Sequence, residues 1–195
     1  MEIKQQSESQ EQDQQLFTLL RKNDLQIVPF INEHGEWILP DSFLAKIWQQ
    51  VVDEDLCDLV WLEEDIGLEK FILMAKNPAN LISFGFQGEV CLGFGWINQM
   101  NGNIAHAHFC MFREVHGTDT VDQIGHMFLD YWMAFPDAKG EPLFDVLFGT
   151  MPECNYPAQG FVQRMGFQYL GRVPGLFKDN MGARFDAHIY HYPRF

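Results

Sequence analysis

Residues 155–167 read NYPAQGFVQRMGF, a segment that describes one short helix with both of its ends marked. Asn155 has the side chain of a helix N-cap, and Pro157 falls in the first turn, where a missing backbone N–H is tolerated. Gly166 follows the last helical turn, at the position where a left-handed backbone favours glycine. The run 143–148, apolar except for Asp145, precedes this segment, so we predict a short helix that follows a buried strand.

The rest of the chain predicts an α/β fold of the α+β type, a mixed sheet with helices on both faces. Its element order is β-α-α-β-β-β-α-β-α-β-β, in a domain over residues 21–195. A glutamine-rich segment, residues 1–20, precedes it as a flexible polar tail, because it has too little apolar area to offset chain entropy. The predicted strands cover residues 25–31, 81–86, 89–97, 104–112, 143–148, 169–173 and 184–192, and the predicted helices begin near Asp41, Leu68, Thr120 and Tyr156.

This order and the capped helix together resemble the GNAT superfamily of acyl-CoA N-acyltransferases, whose fourth helix carries N-x-x-A-x-x-[LF]-Y-x-[KR]-x-G-F. The likeness in topology covers residues 25–195, and the match in sequence lies within 143–192. Residues 171–175, GRVPG, look like the G-x-[IV]-P turn of GNAT-like proteins carried by bacteriophages. The residues that match the helix pattern are Asn155, Ala158, Phe161, Arg164, Gly166 and Phe167.

The resemblance implies a splayed central sheet and an acyl-CoA cosubstrate, acetyl-CoA or another acyl-CoA. Residues 104–112 and 143–148 are then adjacent parallel strands, joined by a right-handed crossover, whose C-terminal ends diverge. The position of Asn155 commonly contacts the pantetheine arm in the family. His116, Gly117 and Thr118 stand in the loop that holds the pyrophosphate there, so we predict them as cofactor-binding residues.

That loop departs from the family pattern [RQ]-x-x-G-x-[GA], and only Gly117 fits it well. Asp119 and Asp122 stand at the start of the next helix, where each repels a pyrophosphate by about 4 kcal/mol at ~4 Å and an effective dielectric constant near 20. Arg113 and His116 are expected to offset part of this repulsion. The sequence therefore predicts a weak or unconventional cofactor site.

The helix itself departs from the family at Val162, where many members have a tyrosine that protonates the departing CoA thiolate. Valine has no proton to donate, so a catalytic acid has to come from elsewhere. Tyr156, Tyr169 and Tyr190 are the candidates, and the sequence does not rank them.

Two histidines, His106 and His108, fall on one face of the predicted strand 104–112, because the side-chain period of a strand is two. An imidazole titrates near neutrality, so we predict His108 as the general base that deprotonates an amine. Polar residues on a half-exposed strand are the alternative. The further ligands of a metal site are missing at the right spacing, and we predict no metal.

Composition excludes several classes of protein. Thirteen Lys and Arg against 27 Asp and Glu give a net charge of −14, which argues against a basic face for nucleic acid or a membrane. With 47% hydrophobic residues, the chain is apolar enough to form a folded domain. Its four cysteines form no C-x-x-C pair, and we predict that they are reduced thiols. No signal peptide or long apolar run is present, so we predict a cytoplasmic protein.

These observations predict an acyl-CoA-dependent N-acyltransferase, and the favoured acyl group is acetyl, which makes it an N-acetyltransferase. The acceptor is expected to be a primary amine on a small molecule or a peptide. The alternative is a catalytically inactive GNAT-fold binding protein or a phage accessory or assembly protein that has lost the cofactor loop. The assembly stays open, with a homodimer as one alternative.

Overall fold

A computed structural model of the chain describes residues 20–32, 35–61, 66–137, 139–179 and 181–194. The predicted tail, up to residue 19, lies outside the described residues. In the described part, the strands are β1 Arg21–Lys22, β2 Leu25–Pro29, β3 Leu81–Gln87, β4 Val90–Asn101, β5 Ile104–Met111, β6 Val146–Pro152, β7 Gln168–Lys178 and β8 Arg184–Pro193. The helices there are α1 Asp41–Asp53, α2 Cys57–Val60, α3 Leu68–Lys76, α4 Asp119–Met133 and α5 Tyr156–Arg164.

One open sheet carries all eight strands in the order β1-β2-β3-β4-β5-β6-β8-β7. Its neighbouring strands are antiparallel except for β5 and β6. The predicted mixed sheet and fold class are thereby confirmed. Among the described residues, no helix is long and apolar enough to cross a membrane.

The sheet separates two layers of core, as expected for helices on both faces. On one side α4 and α5 pack against it, with Phe128 and Trp132 fully buried. On the other side α1 and α3 cover it, with Leu44 and Phe71 fully buried. Full burial of one such side chain contributes roughly 1.5–3 kcal/mol, so the apolar stripes of the helices fix them to the sheet.

Strands β5 and β6 are parallel and adjacent, and they separate after a short contact. Their paired residues are Ile104 with Val146, Ala105 with Leu147, and His106 with Phe148. Beyond these pairs, β5 continues to Met111 and β6 to Pro152 without pairing to each other. The prediction of parallel strands with diverging C-terminal ends is confirmed, and the divergence leaves a cleft in the middle of the sheet.

The sixth strand lies later in the chain than the predicted run 143–148. The Leu143 N–H donates to the Phe135 carbonyl at 2.7 Å, and the Asp145 N–H donates to the Asn103 carbonyl at 2.8 Å. These bonds tie the segment to the end of α4 and to the β4–β5 turn, so pairing with the sheet begins only at Val146. The strand then runs on to Pro152, which lines the cleft.

The predicted turn at residues 171–175 is corrected, since the segment lies inside β7. Val173 pairs with Ala187 and Phe177 with Phe185, so β7 holds two more residues than β8 between these pairs. Gly175, at φ +62°, is in this bulge, and its N–H donates to the Asp186 carboxylate at 2.8 Å.

Close packing of β4 against α4 gives a prediction at Gly95. A Cβ at this position would lie 2.7 Å from the Trp132 ring and 3.0 Å from the His108 carbonyl. We expect Gly95→Ala to lower the free energy of unfolding by roughly 1–3 kcal/mol, the usual cost of overpacking. Denaturation in urea measures it.

The matched control is Gly171→Ala in β7, where an added Cβ meets nothing within 4 Å. It makes the same change to the entropy of the unfolded chain. Equal unfolding free energies for the two variants would contradict the close contact between β4 and α4.

Candidate active site

A cavity of about 440 Å³ occupies the cleft between β5 and β6. Residues 107–111 of β5 form one wall, and residues 149–152 of β6 form the other. His116 and Gly117, before α4, and the first turns of α5 close one end. This volume lies within the range of ligand pockets, and most of its lining is apolar.

His108 lines this cavity and is held on two sides. Its Nε2 lies 3.0 Å from Oδ1 of Asn98, and its ring stacks on Trp96 with centroids 4.6 Å apart and an angle of 5°. Because the amide oxygen accepts, Nε2 carries the proton in the neutral ring and Nδ1 carries the lone pair. The contact with Asn98 therefore makes Nδ1 the atom that can take up a proton.

The electrostatic environment makes His108 a weak base. Burial lowers its pKa to about 4, and the charge of nearby His106 acts in the same direction. Burial also lowers the pKa of His106, which contacts Phe148 with ring centroids 5.9 Å apart. Ala105 and Ala107, which alternate with the histidines, belong to the core layer of α4 and α5. The histidines therefore share the other face of β5.

Two of the three predicted loop residues reach the cavity. His116 and Gly117 line it, and His116 Nε2 donates to the Met111 carbonyl at 2.9 Å. Thr118 instead donates its hydroxyl to the Val115 carbonyl at 2.7 Å and does not line the cavity. The structure corrects the start of the helix: α4 begins at Asp119, after an N-cap Thr118 that makes no side-chain capping bond.

The charges around this loop differ from the expectation in two respects. Asp122 is paired with Arg164, whose Nε and Nη2 donate to the two carboxylate oxygens at 2.9 and 3.0 Å. Its charge is therefore compensated, while Asp119 is exposed at the first position of the helix. Arg113 donates from Nε to the Glu54 carbonyl at 2.7 Å, so it serves the end of α1 rather than the loop.

Asn155 lines the cavity and caps α5. Its Oδ1 accepts the Ala158 N–H at 3.2 Å. At the other end, the Gly166 N–H donates to Gln163 and the Phe167 N–H to Val162, each at 3.0 Å, with Gly166 at φ +90°. Both predicted ends of this helix are confirmed.

The predicted tyrosine candidates for the acid do not line the cavity. Tyr156 and Tyr169 are 75% and 53% exposed, and Tyr190 is buried with its hydroxyl accepting from Gln163 at 3.3 Å. Val162, in place of the family tyrosine, does line the cavity.

Several lining residues were not predicted from the sequence. Leu56 and Val60 come from α2 and the turn before it, and Thr150 comes from the unpredicted end of β6. Trp96 pairs directly with His108 in the register of β4 and β5. The position of Trp96 beside His108 could therefore have been predicted from the hairpin in the sequence. Phe177, which follows the bulge in β7, also lines the cavity.

No protein-family model matches the chain, and no curated protein matches it in sequence. Solved structures do match. The acetyltransferase that modifies the N-terminal serine of ribosomal protein L7/L12 from Salmonella typhimurium is 14% identical with a TM-score of 0.69, over 89% of this chain and 97% of that one. Spermidine N-acetyltransferase from Vibrio cholerae, solved with CoA and spermine, is 14% identical with a TM-score of 0.68, over 89% and 97%.

The microcin C7 self-immunity acetyltransferase MccE, solved with acetyl-CoA and AMP, is 11% identical with a TM-score of 0.66, over 88% of this chain and 93% of that one. At these identities the likeness is one of fold. The chain has the fold of the GNAT acetyltransferases.

The contact between Asn98 and His108 gives a prediction about the pKa of His108. In Asn98→Asp, a carboxylate would face the Nε2 proton and stabilise the imidazolium. We expect the pKa to rise from about 4 by roughly 1–3 pH units. Titration of the histidine ring signals by NMR measures it.

Asn101→Asp, at the end of the same strand, adds the same charge without this hydrogen bond and serves as the control. A pKa of His108 that rises equally in both variants would contradict the contact.

Proposed function

We propose that this chain is an acyl-CoA-dependent N-acetyltransferase that acts on a primary amine. The observation that carries the proposal is the cavity between β5 and β6 in a GNAT fold. The edge of β5 that faces β6 pairs with no strand after His106, among the described residues, and residues 107–111 line the cavity there. Such an edge can bind the extended, amide-containing arm of CoA by backbone hydrogen bonds.

At the end of the cavity formed by α4 and α5, some residues suit the phosphate and pantetheine portions of an acyl-CoA and one opposes them. The start of α4 has no side-chain cap, so its first N–H groups are free to bind a phosphate. Gly117, at φ +73°, leaves the space above the loop open, since a Cβ there would meet nothing within 4 Å. We propose that Asn155, which lines the cavity, donates its side-chain amide to a pantetheine carbonyl. The exposed Asp119 opposes the pyrophosphate, so we propose weak binding.

When bound, acetyl-CoA supplies an activated acyl thioester. The chain's own part is to position the amine beside it, to exclude water with the apolar lining, and to accept a proton at His108 Nδ1. The neighbours in fold that carry acetyltransferase names support this reading. The hydroxyl of Thr150 and the ring of His116 are polar groups of the cavity lining, and we propose that they stabilise the departing thiolate.

Calorimetric titration with acetyl-CoA tests the proposal, together with release of free CoA thiol in the presence of a primary amine. Binding with thiol release supports it. A folded protein that does not bind acetyl-CoA would favour the alternative, a GNAT-fold binding or phage accessory protein without catalysis.

A substitution at Asn155 distinguishes a contact with the cofactor from a role as a helix cap alone. Asn155→Asp keeps an oxygen that accepts the Ala158 N–H, so the free energy of unfolding should change little. The carboxylate cannot donate to a pantetheine carbonyl, and we expect acetyl-CoA affinity to fall about tenfold, or ~1.4 kcal/mol. Calorimetry measures the affinity. Asn77→Asp, at the end of α3 and outside the cavity, is the control, and equal affinities would reduce Asn155 to a cap.

Asp119 gives a prediction with an ionic-strength signature. In Asp119→Asn, the charge that faces the phosphate end is removed, and we expect acetyl-CoA to bind more tightly at low salt, with the gain shrinking as salt screens the field. Glu89→Gln, an exposed residue in the β3–β4 turn, makes the same change of net charge outside the cavity. If both variants tighten binding equally, the proposed local repulsion between Asp119 and the phosphates is contradicted.

A further inference from the structure

We propose that Glu54 and Arg113 are positioning residues, which hold the loop 113–118 in place for the phosphate end of an acyl-CoA. The two residues form a pair of hydrogen bonds between the end of α1 and the start of this loop, and we call this pair the clasp. The role deepens the proposed function and depends on it for the identity of the ligand. The clasp exists in the protein without ligand, so its effect on the loop is measured separately from binding.

The clasp holds Arg113 by its backbone and by its side chain at once. The Arg113 N–H donates to Oε2 of Glu54 at 2.5 Å, and Nε of Arg113 donates to the Glu54 carbonyl at 2.7 Å. Oε1 of Glu54 accepts from the Gln50 side chain at 2.9 Å. Both carboxylate oxygens are therefore bound, which fixes the side chain of Glu54. Hydrogen bonds to an ionised carboxylate are also stronger than those between neutral groups.

Each side of the clasp leads into the lining of the cavity. Leu56 comes shortly after Glu54 and lines the cavity from the layer of α1 and α3. His116 and Gly117 come shortly after Arg113 and line the cavity in front of α4. The clasp therefore joins two parts of the lining, although its two residues lie 59 positions apart in the chain.

The loop depends on this support because it crosses from one core layer to the other. Phe112 is buried in the layer of α1 and α3, and Val115 is buried in the layer of α4 and α5. A single 3₁₀ turn, Arg113–Val115, connects them, and residues 116–118 beyond it are exposed. Apolar burial fixes the loop only as far as Val115. The exposed residues that would meet a phosphate depend on hydrogen bonds for their position.

The clasp also ends α1, which gives the alternative of a purely structural role. Asp55 has a left-handed backbone at φ +52°, and the Leu56 N–H donates to the Val51 carbonyl at 3.0 Å, a common helix end. Glu54 is the C-cap, and the guanidinium bound to its carbonyl is favourable at the negative end of the helix. A structural role alone changes stability, whereas a positioning role changes cofactor affinity in protein that is equally folded.

A matched pair of variants tests the clasp at constant charge. Burial, and after it the charge of Glu54, raises the pKa of the Cys110 thiol in the cavity lining, so removing this charge alters the cavity as well. Glu54→Ala and Glu54→Gln both remove the charge, but only glutamine keeps an oxygen that accepts the Arg113 N–H. We expect the Kd of acetyl-CoA, measured by calorimetry at matched folded fraction, to be at least about fivefold higher in Glu54→Ala. Equal Kd values would overturn the proposal.

A fragment of the cofactor locates the effect within the site. S-acetylpantetheine has the thioester and the pantetheine arm of acetyl-CoA but lacks the pyrophosphate and the nucleotide. Because the loop 113–118 is proposed to hold the phosphate end, the Kd of this fragment should differ less than about twofold between Glu54→Ala and Glu54→Gln. NMR titration of the His108 ring signals measures it. A loss for the fragment as large as that for acetyl-CoA would show a general distortion of the cavity and overturn the positioning role.

The side chain of Arg113 provides a second test if Glu54→Ala does not fold. Arg113→Met removes the bond to the Glu54 carbonyl together with one positive charge. Lys46→Met, at an exposed position of α1 outside the cavity lining, removes the same charge. We expect the Kd of acetyl-CoA to be at least about fivefold higher in Arg113→Met than in Lys46→Met, and equal values would contradict the clasp.

Hydrogen exchange in the free protein separates this proposal from the proposed function. The amides of His116 and Thr118 donate to carbonyls within the loop at 3.1 and 3.2 Å. We expect them to exchange at least about fivefold faster in Glu54→Ala than in Glu54→Gln, with the Phe71 amide of α3 unchanged as the control. Faster exchange in a protein that does not bind acetyl-CoA would overturn the proposed function alone. Acetyl-CoA binding with equal exchange in the two variants would overturn the positioning role.

Discussion

The site depends on one constraint in the sheet, which is that β5 and β6 pair at three positions and then separate. Each is held on its other side, β5 by the antiparallel ladder with β4 and β6 by seven pairs with β8. Beneath the gap, Phe109 of β5 packs edge-on against Phe161 of α5 at 5.3 Å, and against Trp132 of α4 at 5.2 Å. Aromatic contacts of this kind add roughly 0.5–1.5 kcal/mol beyond burial. The helices thus support the strands where the sheet itself does not, and the cavity is a consequence of the core.

The same helix pair sets the electrostatics at the end of the cavity where the cofactor is proposed to bind. Helices α4 and α5 approach closely at Gly125, where a Cβ would lie 2.5 Å from Met165 Sδ and 2.7 Å from the Phe161 ring. This approach brings Asp122 within reach of Arg164. With the arginine side chain 51% exposed, such a pair contributes only about 0–1 kcal/mol to stability. Its consequence is local, because it neutralises one of the two carboxylates at the start of α4, whereas Asp119 has no ion-pair partner among the described residues.

Features set by contacts between residues close in sequence could be predicted, and features set by contacts between distant residues could not. The ends of α5 depend on contacts within three to five residues, between Asn155 and Ala158 and around Gly166, so residue types were sufficient. The element order gave the parallel pair and its crossover. The start of β6 could not be predicted, because it is set by bonds from Leu143 and Asp145 to distant carbonyls. The places of Phe177 and Arg164 depend likewise on a bulge and on helix packing, which no local pattern encodes.

The proposed chemistry is one of desolvation and positioning rather than strong base catalysis. A primary alkylamine has a pKa of ~10.4, and burial lowers the pKa of His108 to about 4, so moving a proton from the ammonium to this ring costs ~8–9 kcal/mol. That transfer is too costly to precede attack. Once the nitrogen has bonded to the carbonyl carbon it becomes far more acidic, and a weak base fixed by Asn98 and Trp96 is then sufficient. The proposed site therefore requires an amine that arrives neutral, and the mostly apolar lining of the cavity favours that form.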